Sequence, residues 1–271
     1  MTASLDAVRS LPREVRFDRG RHPRAKLGFL LLANEQTVED DVFRLTPAGV
    51  GVHFTRLAMS NDATVETLRA MEPGIERAAG LVLPDGRPDV ICYTCNCGTM
   101  VIGEQRVMDA ISRGRPGVKA TTVMTGVVRA LRALGARKIV VATPYLDEVN
   151  AHVLAFLKGH RFEVLDLQGL NIKTNSDIDR VAPAYLREFA RGLDRPDADA
   201  LFFCCGALRT LDIAQELEED LGKPVVVSNQ AMMWDCLRLA GIRDPIEGFG
   251  RLLATTGGAG PAQRIGAAVG A

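Results

Sequence analysis

The sequence predicts an α/β fold of two similar parallel-sheet lobes related by a pseudo-twofold axis. Short apolar runs that end in a small or turn-forming residue alternate with amphipathic stretches, the pattern of βαβ units with helices on both sheet faces. Asp89-Val-Ile-Cys-Tyr-Thr-Cys95 lines up with Asp199-Ala-Leu-Phe-Phe-Cys-Cys205, 110 positions later. Leu30–Ala33 against Val140–Thr143 and Asn61 against Asn171 repeat the same step, and one offset at three places argues for an internal duplication.

Taken in order, the strands are Leu27–Ala33, Val52–Met59, Asp89–Thr94, Lys138–Thr143, Phe162–Leu170 and Asp199–Cys204, with a further one opening at Pro224–Ser228. The main runs are apolar rather than alternating, as suits strands covered on both faces. Of the stretches between them, Thr125–Leu134 puts Val127, Val128, Leu131 and Leu134 on one helical face. The first lobe is expected to span 26–117 and to take back about 225–240, the second to span 118–224, with 1–25 and 241–271 as terminal extensions. Ligands of open parallel sheets bind outside the carboxyl ends of the strands, so two facing halves make a cleft toward which Cys95 and Cys205 project.

Composition narrows the function. Of 271 residues, 33 are Lys or Arg and 33 are Asp or Glu, and 5% are aromatic. That balance supplies neither the basic field nor the stacking surface that nucleic-acid binding uses, so no nucleic-acid partner is expected. No apolar run reaches the roughly 18 residues of a membrane span, and Met1 to Arg24 lacks the unbroken apolar stretch of a secretion signal. A soluble cytoplasmic protein is expected, in which six cysteines serve as thiols, ligands or catalysts rather than disulfides.

The cysteines fall into two groups, Cys92, Cys95 and Cys97, then Cys204 and Cys205, with Cys236 alone. Cys92 and Cys95 have the spacing of a metal or redox pair. Strand alternation separates them, however, and His22, His53, His152 and His160 stand in no ligand spacing, so no metal site is expected. Cys92, Cys204 and Cys236 read as small core residues. Cys95 and Cys205 precede Asn96-Cys97-Gly98-Thr99 and Gly206-Ala207, which reads as a strand-to-helix turn. Unpaired backbone N–H groups at such a turn favour a thiolate, with a pKa below the free value of about 8.5, and can hold a substrate carboxylate. Cys95 and Cys205 are therefore the candidate catalytic pair.

Three segments carry a family resemblance: Val90-Ile-Cys-Tyr-Thr-Cys-Asn-Cys-Gly-Thr-Met-Val-Ile-Gly103, Ala142-Thr-Pro-Tyr-Leu-Asp-Glu-Val-Asn150 and Phe203-Cys-Cys-Gly-Ala-Leu-Arg-Thr-Leu-Asp212. They resemble the maleate cis–trans isomerase and arylmalonate decarboxylase branch of the aspartate/glutamate racemase superfamily, over about Leu27 to Leu239. The resemblance implies a cofactor-independent enzyme with one cysteine from each lobe facing a small carboxylic acid. Decarboxylases of the branch keep only the second cysteine, whereas this chain has both. By the same resemblance Cys95 looks like the nucleophile that adds to the double bond, and Cys205 like the proton donor and acceptor. Tyr145, Asn175 and Asn96 look like substrate contacts, and Gly98, Thr99 and Gly206 look like a backbone anion clamp.

One segment departs from the family pattern. Maleate isomerases usually show Pro-Ser-Ser-Asn before a threonine and an acidic residue, and here Leu32-Ala-Asn-Glu-Gln-Thr-Val-Glu39 puts Glu35 at the asparagine position, with Asn34 one residue earlier. A carboxylate there repels a second substrate carboxylate. Three readings are open: the substrate carries a cation or neutral group at that end, the loop shifts so that Asn34 serves, or Glu35 faces solvent beside Arg44 or another base. The expected function is a two-cysteine isomerase of a small carboxylate, nearest to maleate-to-fumarate conversion, in a homodimer or homotetramer. The alternatives are a racemase or epimerase of an amino or N-acyl amino acid, as in ectoine breakdown, and a non-catalytic metal or redox protein using the clustered cysteines.

Overall fold

The computed structural model describes residues 12–255; residues 1–11 and 256–271, within the two terminal extensions, lie outside the described residues. The first half holds β1 (Ala25–Leu32), α1 (Val38–Arg44), β2 (Val50–Leu57), α2 (Val65–Arg69), α3 (Glu72–Gly80), β3 (Val90–Tyr93), α4 (Asn96–Ile102), α5 (Glu104–Gly114), β4 (Lys119–Thr122) and α6 (Val123–Ala133). The second holds β5 (Lys138–Thr143), α7 (Asp147–Gly159), β6 (Glu163–Gly169), α8 (Asn175–Ile178), α9 (Pro183–Leu193), β7 (Ala200–Phe203), α10 (Ala214–Leu221), β8 (Val225–Val227), α11 (Ser228–Leu239) and α12 (Arg251–Ala254). The strands form two parallel sheets of four, ordered β2-β1-β3-β4 and β6-β5-β7-β8. The two-lobed α/β architecture read from the sequence is the one observed. The central strands β3 and β7 are buried along their whole length, which is why they read as unbroken apolar runs.

An aspartate pins equivalent strand starts in both lobes. The Lys26 and Lys138 N–H groups donate to Asp89 and Asp199 Oδ2 at 2.8 and 2.7 Å. Lys138 follows Lys26 by 112 positions, whereas Asp199 follows Asp89 by 110. The single offset expected from the sequence therefore holds for β3 and β7 but not for β1 and β5. The β1-to-β3 connection is longer by two residues, so Leu30, whose carbonyl accepts from Thr94 N–H, matches Ala142, whose carbonyl accepts from Cys204 N–H. Likewise Asn61 matches Lys173 rather than Asn171. Ala63 N–H donates to the Lys173 carbonyl and Asn175 N–H to the Asn61 carbonyl, around an isolated antiparallel bridge between Asp62 and Thr174. Two equivalent segments thus pair reciprocally, which places the pseudo-twofold axis through that bridge.

The helices that follow β4 and β8 without a loop, α6 and α11, pack on each other. Gly126 permits the approach, since a Cβ there would lie 3.0 Å from the Ala231 carbonyl oxygen. Asp235 is buried in the same interface and accepts from Thr121 Oγ1 at 2.7 Å and Arg129 Nη1 at 2.9 Å. Sheet membership shifts the expected lobe boundaries: β4, expected in the second lobe, pairs with β3, and β8, expected to return to the first, pairs with β7. The helix α11 does pack against α1, β3 and β4 of the first half.

Candidate active site

The carboxyl ends of both sheets converge on one cavity of about 370 Å³, part of it open to solvent. The first lobe lines it with Leu32 and Glu35 after β1, Met59 and Ala63 after β2, Leu68 of α2, and Thr94, Cys95, Asn96 and Cys97 at the β3-to-α4 turn. The second contributes Tyr145 after β5, Asn175 of α8, and Cys205, Gly206 and Ala207 after β7. Both cysteines singled out in the sequence reach the same space, each 7% exposed.

Cys95 is the N-cap of α4, and its Sγ accepts the Gly98 N–H at 3.2 Å. Glycine at position 98 leaves room for the Tyr93 hydroxyl, since a Cβ there would stand 2.3 Å from it and force the phenol to move. Thr99 anchors the turn from behind, with Oγ1 donating to the Cys95 carbonyl at 2.8 Å and its own N–H spent on the same carbonyl. The Cys205 turn is built differently from expectation. No helix follows β7 directly; a loop runs to α10, and the Ala207 and Leu208 N–H groups face the Cys205 thiol. Side chains from outside hold that loop: Thr37 Oγ1 donates to the Ala207 carbonyl at 3.0 Å, and Asn229 Nδ2 to the Gly206 carbonyl at 2.8 Å.

The expected lowering of the thiol pKa values is overturned. Burial pushes Cys95 up to about 11 and Cys205 up to about 12, and the charge of Glu35 adds to both. The Gly98 N–H and the Tyr93 hydroxyl pull Cys95 down without offsetting burial, and the Tyr145 hydroxyl acts in the same way on Cys205. Both groups are therefore thiols at neutral pH.

Tyr145 is 5% exposed and its backbone is set by a small network. Its N–H donates to Thr143 Oγ1, Thr143 Oγ1 donates to Asn150 Oδ1, and Asn150 Nδ2 donates back to the Tyr145 carbonyl, at 3.2, 2.6 and 3.2 Å. Glu35 lines the cavity and also starts α1, its Oε1 accepting the N–H groups of Gln36, Thr37 and Val38 at 3.0, 2.8 and 3.2 Å. It is not paired with Arg44, which binds Asp212 at 2.7 Å instead. Asn34 is not brought to the cavity; its Nδ2 points to Asn61 Oδ1 at 3.5 Å. Asn175 lines it with Nδ2 directed at the Asn61 carbonyl, 3.4 Å away. Thr99 and Gly98 stand behind Cys95 rather than on the cavity wall. Sequence reasoning missed Tyr93, fully buried beneath Cys95, and Ser228, whose Oγ accepts the Cys205 N–H at 3.1 Å. Tyr93 looked like one more strand residue, and only its position two residues before Cys95 hinted at its use.

Among the described residues no group of three or more His, Cys, Asp or Glu is arranged to hold a metal. Cys92 and Cys236 lie against each other in the core, away from the cavity.

A family model described as arylmalonate decarboxylase matches residues 104–253. A maleate isomerase of Nocardia farcinica is 28% identical over 240 residues, covering 84% of this chain and 95% of that protein. An arylmalonate decarboxylase of Bordetella bronchiseptica is 39% identical over 143 residues, 52% of this chain and 60% of its own length. Among solved structures, a cysteine-to-serine mutant of the Nocardia farcinica maleate cis–trans isomerase with a covalently bound succinylcysteine intermediate superposes with a TM-score of 0.79. It is 27% identical and covers 85% of this chain and 98% of its own.

Proposed function

The chain belongs to the arylmalonate decarboxylase family, and on that premise we propose that it is a cofactor-independent cis–trans isomerase of a small unsaturated carboxylic acid, maleate being the first substrate to test. The observation that carries the reading is the meeting of Cys95 and Cys205, one from each lobe, on a single cavity. A relative with a bound succinylcysteine shows the kind of adduct such a cysteine forms.

In the proposed reaction Cys95, once ionised, attacks one alkene carbon, and the π electrons take the Cys205 proton onto the neighbouring carbon. The former double bond is now single and rotates. The Cys205 thiolate removes a proton from the same carbon, the C–S bond breaks, and the trans alkene leaves with Cys95 restored as thiolate. Tyr145 bears on the Cys205 sulfur through its hydroxyl and steadies it in the charged half of the cycle. The N–H groups around the two sulfurs, Gly98 on one side and Ala207 and Leu208 on the other, supply the fixed dipoles for developing negative charge. Gly206 and Asn175 border the cavity where a carboxylate would sit.

We take the enzyme to act in the cytoplasm, where six unpaired cysteines suit a reducing compartment, and as a homodimer or homotetramer that covers Phe43, 59% exposed on α1. The test is to incubate the protein in heavy water with maleate and, separately, with a panel of chiral amino and N-acyl amino acids, and to follow products by proton NMR. Fumarate formed by the parent chain and lost in both Cys95→Ala and Cys205→Ala supports the reading. Near-parental turnover in either variant overturns it, and deuterium exchange at a stereocentre of an amino acid without fumarate formation points to racemisation instead.

A further inference from the structure

The two cysteines come from different lobes, so their separation depends on whatever joins the β3-to-α4 turn to the loop after β7. One hydroxyl does so directly. Ser228 opens α11 and is fully buried. Its Oγ accepts the backbone N–H of Cys205 at 3.1 Å and Asn96 Nδ2 at 2.9 Å, and donates to the Phe203 carbonyl at 3.0 Å. Asn96 is the residue that follows Cys95. A hydroxyl has one proton and two lone pairs, so all three capacities are used and no freedom of rotation is left. Because the proton goes to Phe203, the Asn96 amide must present its nitrogen to Ser228. That leaves Asn96 Oδ1 without a protein partner on a residue that lines the cavity.

Resting on the two-cysteine reading above, we propose that Ser228 is a positioning residue, which ties the backbone of Cys205 to the residue after Cys95 and so sets the distance between the attacking sulfur and the proton donor. It touches no reacting atom. Its contribution lies in geometry, to which addition and protonation on adjacent carbons are steeply sensitive. Removing the hydroxyl takes the Ser228 partner from the Cys205 N–H and the Phe203 carbonyl and leaves Asn96 Nδ2 only its weak sulfur contacts, Met124 Sδ at 3.2 Å and Cys204 Sγ at 3.7 Å, so the tie between the two turns loosens.

The experiment compares the parent chain with Ser228→Ala and Ser228→Thr by two readouts, maleate kinetics and bridging by dibromobimane. That reagent links two neighbouring thiols by forming two S–C bonds and releasing two bromides and two protons, and peptide mapping identifies the pair. Ser228→Ala is expected to lower kcat by at least about tenfold with KM within about threefold. It should also slow the Cys95–Cys205 bridge relative to single alkylation. Ser228→Thr, which keeps the hydroxyl, should restore both. A Ser228→Ala kcat within about twofold of the parent, or a loss of kcat with bridging unchanged, overturns the assignment. Should the alanine variant not fold, Ser228→Cys, a poorer hydrogen-bonding group, takes its place with kcat against KM as readout, and an unchanged kcat overturns it. Failure of the underlying reading looks different, because it appears as turnover surviving in Cys95→Ala or Cys205→Ala with Ser228 intact.

Discussion

A thiol held well above its free pKa is an unusual starting point for a nucleophile, and it decides how activity should vary with pH. Burial is the leading cause at both Cys95 and Cys205, and Glu35 adds its charge to each. Alkylation of Cys95 by iodoacetamide is accordingly expected to rise with pH with a midpoint above that of a free thiol, about 8.5; a midpoint at neutral pH, read by peptide mass spectrometry, contradicts the burial argument. Glu35→Gln keeps an oxygen for the three N–H groups at the start of α1 while removing the charge. The substitution should lower the Cys95 midpoint and raise kcat/KM for maleate, whose second carboxylate no longer meets an anion. A substrate that brings an ammonium to that end should instead lose about 1.5 to 3 kcal/mol of binding, a charge-assisted hydrogen bond, and a drop in kcat/KM for maleate itself would remove the repulsion argument. Cys95 and Cys205 stood out in the sequence because each ends an apolar run at a turn, whereas Tyr145 and Glu35 were singled out only through the family resemblance. Tyr93 and Ser228 were not legible, since they act through neighbours that only the folded chain brings together, and the choice between Glu35 and Asn34 needed the turn's actual shape.

At the scale of elements, the β3-to-α4 turn shows how one glycine supports a reactive group. Gly98 donates its N–H to Cys95 and leaves room for the Tyr93 hydroxyl, which a Cβ would meet at 2.3 Å, with Met71 Cε at 3.1 Å. Gly98→Ala should therefore cost about 1 to 3 kcal/mol through overpacking and displace the phenol from the sulfur. Thermal unfolding and maleate kinetics together check it: a variant as stable and as active as the parent would show that the turn yields without consequence. Most strands were legible from their apolar runs, but Lys119-Ala-Thr-Thr122 carries no such run, and pairing with β3 alone makes it β4. The sequence pattern after Cys205 suggested a helix start like that after Cys95. The chain instead buries Leu208 and Leu211 and is tied by Thr37 and Asn229, so tertiary contacts override the local resemblance. The duplication was visible, yet its offset was legible only where the strand ends are chemically alike, at the aspartates and cysteines of β3 and β7.

Across the whole molecule, the lobes meet in a polar seam as well as in the α6 and α11 packing, and the seam contains a buried carboxylate. The sequence showed two halves and a cleft; it could not show which polar groups are dehydrated when the halves close, because Asp41 reads as one acid in the charged run Glu39-Asp40-Asp41 of α1. In the structure Asp41 is 4% exposed and accepts Asn229 Nδ2 at 2.8 Å, while Asn229 also donates to the Gly206 carbonyl. Burial pushes Asp41 up to about 7; the Asn229 hydrogen bond and Arg44, 3.6 Å away, pull it down, and Asp212 and Glu35 push it further up. In the unfolded chain the same group titrates near 3.8. Below that value both states bind the proton and no stability is lost, whereas between it and about 7 the unfolded state ionises first, so stability falls as pH rises through that window and then levels. Asp41→Asn keeps an acceptor for Asn229 and removes the titration. Its melting temperature relative to the parent is therefore expected to be more favourable at about pH 8 than at about pH 5, each pH unit within the window being worth up to about 1.4 kcal/mol. A difference between variant and parent that does not change with pH, or that grows toward acid, would mean that Asp41 is ionised in the folded seam at ordinary cost and that Arg44 and Asn229 fully compensate its burial.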